Sequence, residues 1–298
     1  MVVGFVLQNI VEDSAECMQA ETWCCRAREL VGSGTENKIM EAISDENHET
    51  VHTEHAHVHT HMDHLDPSVM VFLTFKDLKV GKTMAVYFPK RDPATSPKLW
   101  PREEAESLPF SLNQLPNLLK VFSFSPNSPQ AKAMEDTLRE CETKPIEGEV
   151  KFCATSLESM LDFAQTILGF THELQVFTTS HQTKSSVTFQ NYTLEKIVEI
   201  PASKMVACHN MPYPYAVFYC HSQESENKMY KVALGGENGD RVEAMVVCHM
   251  DTSHWGHSHV SFQVLKVQPG TTSVCHFFPA DNLIFVVPKP QHHGLATM

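Results

Sequence analysis

The chain has 298 residues, 42% of them hydrophobic, with 36 acidic against 23 basic side chains and a formal net charge of −13. That length accommodates one large domain or two small ones with a sizeable core. The acidic balance argues against nucleic acid as the main partner, and no stretch approaches the roughly 20 apolar residues that a membrane-crossing helix needs.

Residues 1–47 show no strong hydrophobic period. The opening MVVGFVLQNIVEDS lacks a basic n-region and meets an acidic pair early, so it does not read as a secretory signal peptide. Residues 48–67 form a linker rich in histidine: His48, His52, His55, His57, His59, His61 and His64. Alternation along its centre would put several imidazoles on one face of an extended segment, a loose binder of Cu²⁺, Ni²⁺ or Zn²⁺. Nothing packed fixes these rings, so the tract reads as a solvated linker whose charge follows pH. Asp66-Pro67 marks its end. The main domain is expected over residues 68–290, with a short tail at 291–298.

Strands are expected at Val69 to Phe75 and Met84 to Phe88, a loop at Pro89 to Leu108, and a further strand at Val121 to Ser125. Two helices follow. One starts after Ser128, with Pro129 at its first position, and runs to about Cys141. The other begins at Thr155, with Glu158 completing a capping box, and stops at Gly169. A bridge between Cys141 and Cys153 would close a short loop and stabilise by about 3 kcal/mol in the chain-entropy model; the alternative is two free thiols. From Leu174 onward the chain reads as strand and turn, including VSFQVLKV and LIFVV, with a hairpin at GGENGD. The fold class is therefore α+β: two helices in the first part, then an antiparallel β-rich second half.

That second half holds the densest chemical signal. A Cys-His dipeptide occurs at Cys208-His209, Cys220-His221, Cys248-His249 and Cys275-His276, with 10, 26 and 25 residues between successive pairs. Each lies in or beside an apolar run that reads as a strand, so the Cys and His of one pair point to opposite faces. A simple arrangement has four histidines converging on one side and four cysteines pairing on the other. Imidazole donors without sulfur suit copper or zinc. With Cys141 and Cys153, the four cysteines make six in this region, while Cys17, Cys24 and Cys25 lie outside it. An even set favours disulfides in a secreted chain and thiols or metal ligands in the cytosol, and four cysteines allow three pairings. Asn191-Tyr192-Thr193 is a single glycosylation sequon. No GxSxG motif and no Gly-rich loop after a strand is present, which sets aside hydrolase and nucleotide-binding readings.

The spacing CH-x10-CH-x(about 25)-CH-x(about 25)-CH, with CHNMPYPYAVFYCH, VVCHMDTSHW and PGTTSVCHFFP around it, resembles the signature of the plant BURP-domain family. Upstream, VFLTFKDLKVGKTMAVYFPKRDP and GEVKFCATSLESMLDFA match as well. The resemblance covers roughly Met70 to Pro288, in the unknown-seed-protein or dehydration-responsive branch, with Phe285 where the family usually has Trp. Members normally carry a signal peptide, so the resemblance implies a secreted protein with a missing or altered first exon here. Some members are copper-dependent cyclases that oxidatively crosslink Tyr or Trp side chains, often within their own core peptides. Carried across, His209, His221, His249 and His276 would ligate copper. Tyr213, Asp251, His254, Trp255, His257 and His259 could line or support the site, although taken singly the three histidines among them read as surface and Tyr215 and Tyr219 as core. The first 69 residues contain no Tyr and only Trp23, so self-cyclisation is not expected, while action in trans on another peptide stays open. The other family reading is a secreted cell-wall or seed protein of stress and development, without turnover. Its partner would be a cell-wall component, although the net negative charge would repel acidic pectin. The oligomeric state is unassigned.

Overall fold

A computed structural model describes residues 66–89, 96–169 and 174–288. The segment 1–47 with Trp23, the histidine tract and the tail 291–298 lie outside the described residues. Two short strands come first, β1 (Phe72–Thr74) and β2 (Thr83–Tyr87), then three helices, α1 (Arg102–Glu106), α2 (Leu115–Val121) and α3 (Pro129–Glu142). Next are β3 (Glu149–Ala154) and α4 (Leu157–Leu168). A run of strands follows: β4 (Gln175–Phe177), β5 (Ser180–His181), β6 (Phe189–Ile200), β7 (Ala202–Met211), β8 (Val217–Gln223), β9 (Asn227–Gly236) and β10 (Arg241–His249). Then come α5 (Val260–Leu265), β11 (Val274–Phe278) and β12 (Leu283–Pro288).

The two expected helices are α3 and α4. Ser128 caps α3 by accepting the Ala131 N–H. The cap of α4 is Ser156 rather than Thr155, and its reciprocal partner is Ser159 rather than Glu158. Gly169 ends α4 at φ 84°, a left-handed value that glycine adopts without strain. Three further helices depart from the expectation. The presumed loop holds α1. Val121 closes α2, and Ser123 at φ 58° turns the chain, so no strand forms there; Phe122 and Phe124 pack instead around Tyr213 and Trp100. The run VSFQVLKV alternates like a strand but forms α5. His259 accepts the Ser261 N–H at its start, Ser261 and Phe262 are buried, and Lys266 at φ 55° ends it. Local capping and burial outweigh β propensity in so short a run.

Two antiparallel sheets carry the domain. The first runs β1-β11-β10-β9-β6-β2, with β5 pairing β10 alongside. The second runs β3-β8-β7-β12-β4. The Tyr87 N–H donates to the Met70 carbonyl at 2.9 Å, which draws the two edges of the first sheet together. One face of that sheet encloses a core of Leu73, Val86, Tyr192, Leu194, Val232, Val246 and Phe277. Its other face meets the second sheet through Met205, Ala207, Met245, Val247, Phe278, Ile284 and Val286. α4 lies on the second sheet against β3, β7 and β8, and buries Met160 and Ala164. Phe285 on β12 is fully buried.

Candidate metal centre

Each Cys-His pair uses the two-residue period of its strand. Cys208 on β7 stands directly opposite Cys220 on β8, and Cys248 on β10 directly opposite Cys275 on β11. Both pairs are disulfides, as is Cys141–Cys153, so of the three possible connectivities of the four Cys-His cysteines the one that joins neighbouring strands forms. One residue further along each strand the side chain faces the other way. Each histidine therefore leaves the cystine face and joins the stripe between the two sheets. His209 continues the row Met205-Ala207, and His249 continues Met245-Val247.

The four rings meet there. His209 Nε2 lies 3.3 Å from His221 Nε2, and His249 Nε2 lies 3.4 Å from His276 Nε2. Ring centroids of His209 and His276 are 5.5 Å apart, and those of His221 and His249 are 6.2 Å apart. Thus each sheet contributes one pair, and the pairs face each other. Among the described residues, no group of three or more His, Cys, Asp or Glu side chains is arranged to hold a metal ion as it stands. The donor set itself suits an ion, because sulfur is locked away in cystines and nitrogen remains.

Three outer groups orient the rings. His221 Nδ1 donates to Glu149 Oε1 at 2.9 Å, and His249 Nδ1 lies 2.8 Å from Gln223 Oε1. Asn282 Nδ2 donates to His209 Nδ1 at 3.0 Å. Carboxylate and amide partners of this kind fix ring orientation at metal sites. Burial and the neighbouring imidazoles hold His209, His249 and His276 well below the ordinary histidine range, so these rings are neutral. Burial would raise the Glu149 carboxyl, but hydrogen bonds from His221 Nδ1 and the Ile146 N–H, with the Lys151 charge nearby, outweigh that and hold it low.

The cluster opens into a cleft of about 540 Å³. Its wall includes Phe72, Tyr87, Lys151, Tyr219, Trp255 and His259. The Trp255 ring is 5.0 Å from His249 and 4.6 Å from His259, so these two of the six supporting candidates stand beside the histidines. The other four do not line the cleft. Tyr213 is buried among Phe110, Phe122 and Tyr215. Asp251 accepts the Ser253 N–H at the surface. His254 is exposed and pairs with Glu147 at 3.0 Å, and His257 is exposed. Asn191 is exposed on β6, where it donates to Glu237.

Sequence reasoning did not single out Glu149, Gln223 or Asn282, and it read Tyr219 as core. Gln223 carried a usable signal: it sits two residues after His221 and so shares its face. Glu149 faces Gln223 across the β3–β8 register, which only the sheet order reveals. Tyr219 lines the cleft, with its hydroxyl 3.3 Å from Glu149 Oε1 and Lys151 Nζ 5.1 Å from its ring.

The BURP domain family matches residues 71–287. BURP domain-containing protein BNM2A of Brassica napus is 45% identical over 227 residues, covering 74% of this chain and 80% of the relative. BURP domain protein USPL1 of Arabidopsis thaliana is 44% identical over 227 residues, with 74% and 81% covered. BURP domain protein RD22 of the same plant is 41% identical over 225 residues, with 74% of this chain and 57% of the relative covered. The match takes in all four Cys-His pairs, both sheets and the cleft between them, and on it the chain belongs to the plant BURP domain family.

Proposed function

We propose that this BURP protein holds copper through His209, His221, His249 and His276 and works outside the cell, in the wall or in another secretory compartment. The observation that carries the reading is the spacing within each histidine pair, 3.3 and 3.4 Å between Nε2 atoms. Two nitrogens bound at about 2.0–2.1 Å to one tetrahedral ion stand about 3.3–3.4 Å apart. The disulfides support an oxidising compartment, and no helix among the described residues is long and apolar enough to cross a membrane. The seed, stress and cell-wall association rests on family resemblance. When bound, copper supplies one-electron oxidation chemistry. The chain's own residues orient the imidazoles through Glu149, Gln223 and Asn282, and the aromatic wall of Trp255, Phe72 and Tyr219 limits water around them.

A second reading is a peptide cyclase acting in trans. It is favoured by the cleft, whose volume and aromatic wall would admit an aromatic side chain of another peptide beside the imidazoles.

The test is metal content and Cu(II) paramagnetic resonance of the full chain, beside His249→Ala. The tract histidines are changed to Ser in both proteins, so that only the domain is counted. Near-stoichiometric copper with nitrogen hyperfine structure, lost or altered in His249→Ala, is expected. Equal spectra in the two proteins, or no retained copper in either, would sink the reading. If copper is retained, incubation with Tyr- and Trp-containing peptides follows, and loss of two hydrogens by mass spectrometry would identify the cyclase.

A further inference from the structure

The two histidines contributed by the second sheet are wired differently. Glu149 is a carboxylate and can only accept, so a proton sits on His221 Nδ1. His209 faces an amide whose orientation is set from behind. The Asn210 N–H donates to Asn282 Oδ1 at 3.0 Å, which leaves Asn282 Nδ2 as the group facing His209 Nδ1 at 3.0 Å. Nδ2 can only donate, so His209 Nδ1 is the acceptor and its proton sits on Nε2. The remaining contact settles the other nitrogen of His221: His209 Nε2–H faces His221 Nε2 at 3.3 Å, so that atom is the acceptor and carries the lone pair. One imidazole is ready to ligate through Nε2, and its neighbour is capped by a proton at the same atom.

We propose that Asn282 is a positioning residue that gates the fourth ligand, so that His221 can take the ion first and His209 joins last. This rests on the four-histidine reading above. For His209 to ligate through Nε2, its proton must move to Nδ1. The ring stays neutral, but Nδ1–H then opposes Asn282 Nδ2, and the amide must turn and give up the Asn210 N–H. Asn282 is 7% exposed, so water does not readily replace the lost partners. The wiring therefore opposes full coordination in the metal-free protein. An acceptor at this position would favour it.

The experiment uses the full chain with the tract histidines changed to Ser, and zinc as a redox-silent probe. Long-range nitrogen–proton correlation spectra of the metal-free protein are expected to show His209 protonated on Nε2 and His221 on Nδ1. His209 protonated on Nδ1 would overturn the gate without any variant. Asn282→Asp keeps the acceptor for the Asn210 N–H and offers a second one to His209. It is expected to move the His209 proton to Nδ1 and to tighten zinc binding on the order of 10-fold, the size of effect outer partners have at metal sites. Should burial of that carboxylate prevent folding, Asn282→Ala removes the donor and is expected to shift both readouts the same way by less. Unchanged or weaker affinity in a folded variant, with normal zinc binding by the parent, overturns the gate alone. No zinc or copper binding by the parent overturns the metal reading and the gate together.

Discussion

His221 depends on Glu149 for both its proton position and its neighbouring charge. Removing that partner takes away the acceptor that orients a largely buried imidazole, and loss of an outer partner typically costs 10–100-fold in metal affinity. Glu149→Ala is therefore expected to weaken copper binding by about that factor. Glu149→Gln, which can still accept the Nδ1 proton, should fall between it and the parent. Trp255 offers the readout. Its ring lies 5.0 Å from His249, so copper in the cluster should quench its emission, whereas Trp100 stacks on Tyr215 in a different core. A copper titration followed by fluorescence, repeated in Trp255→Phe, checks both points; unaltered affinity in Glu149→Ala would count against the role given to the carboxylate.

Two elements fix the frame around these residues. Cys141 ends α3 and Cys153 lies in β3, and the disulfide ties the helix to the strand that supplies Glu149. Replacing both cysteines with Ser should lower stability by about 3 kcal/mol, measured as a shift in the urea midpoint. The β9–β10 hairpin turns through Asn238 and Gly239, the latter at φ 89°. Behind it, hydrogen bonds from Ser185, Asn238, Gln190 and Thr183 hold the Asp240 carboxyl below the usual range. A carboxyl lowered in the folded state contributes its stability above the unfolded value, and loses it as pH falls through the folded value. Asp240→Asn is therefore expected to destabilise the domain at about pH 7 and much less at about pH 3, in urea unfolding at both. Equal losses at the two pH values would refute the assignment.

Over the whole molecule, the cluster exists because two sheets stack. Neither sheet alone brings more than two of the histidines together, and each pair is braced by a cystine on the opposite face of the same strands. Cys248–Cys275 closes the longer loop, and its removal should cost about 3–4 kcal/mol in the chain-entropy model. Because His249 and His276 sit next to those cysteines, copper affinity should fall with stability in Cys248→Ser/Cys275→Ser. Calorimetry and copper titration of the same samples test the link. A destabilised protein with intact affinity would show that the sheet interface, not the cystine, holds the pair.

Much of this was legible in the chain itself. The Cys-His dipeptides on apolar runs specified that cystines and imidazoles face apart, because the strand period is two. Ser128, Pro129 and Gly169 marked helix ends through capping chemistry that acts within a few residues. The domain match followed from the same spacing. Other features belong to the tertiary structure. VSFQVLKV became α5 because burial of Phe262 and the cap from His259 decide a short, ambiguous run. Which cysteines pair depends on which strands lie side by side, and that Glu149 and Asn282 reach His221 and His209 depends on register between segments some 70 residues apart. Periodicity along a chain fixes the face on which a side chain stands; only the packing of one sheet on another determines what that face meets.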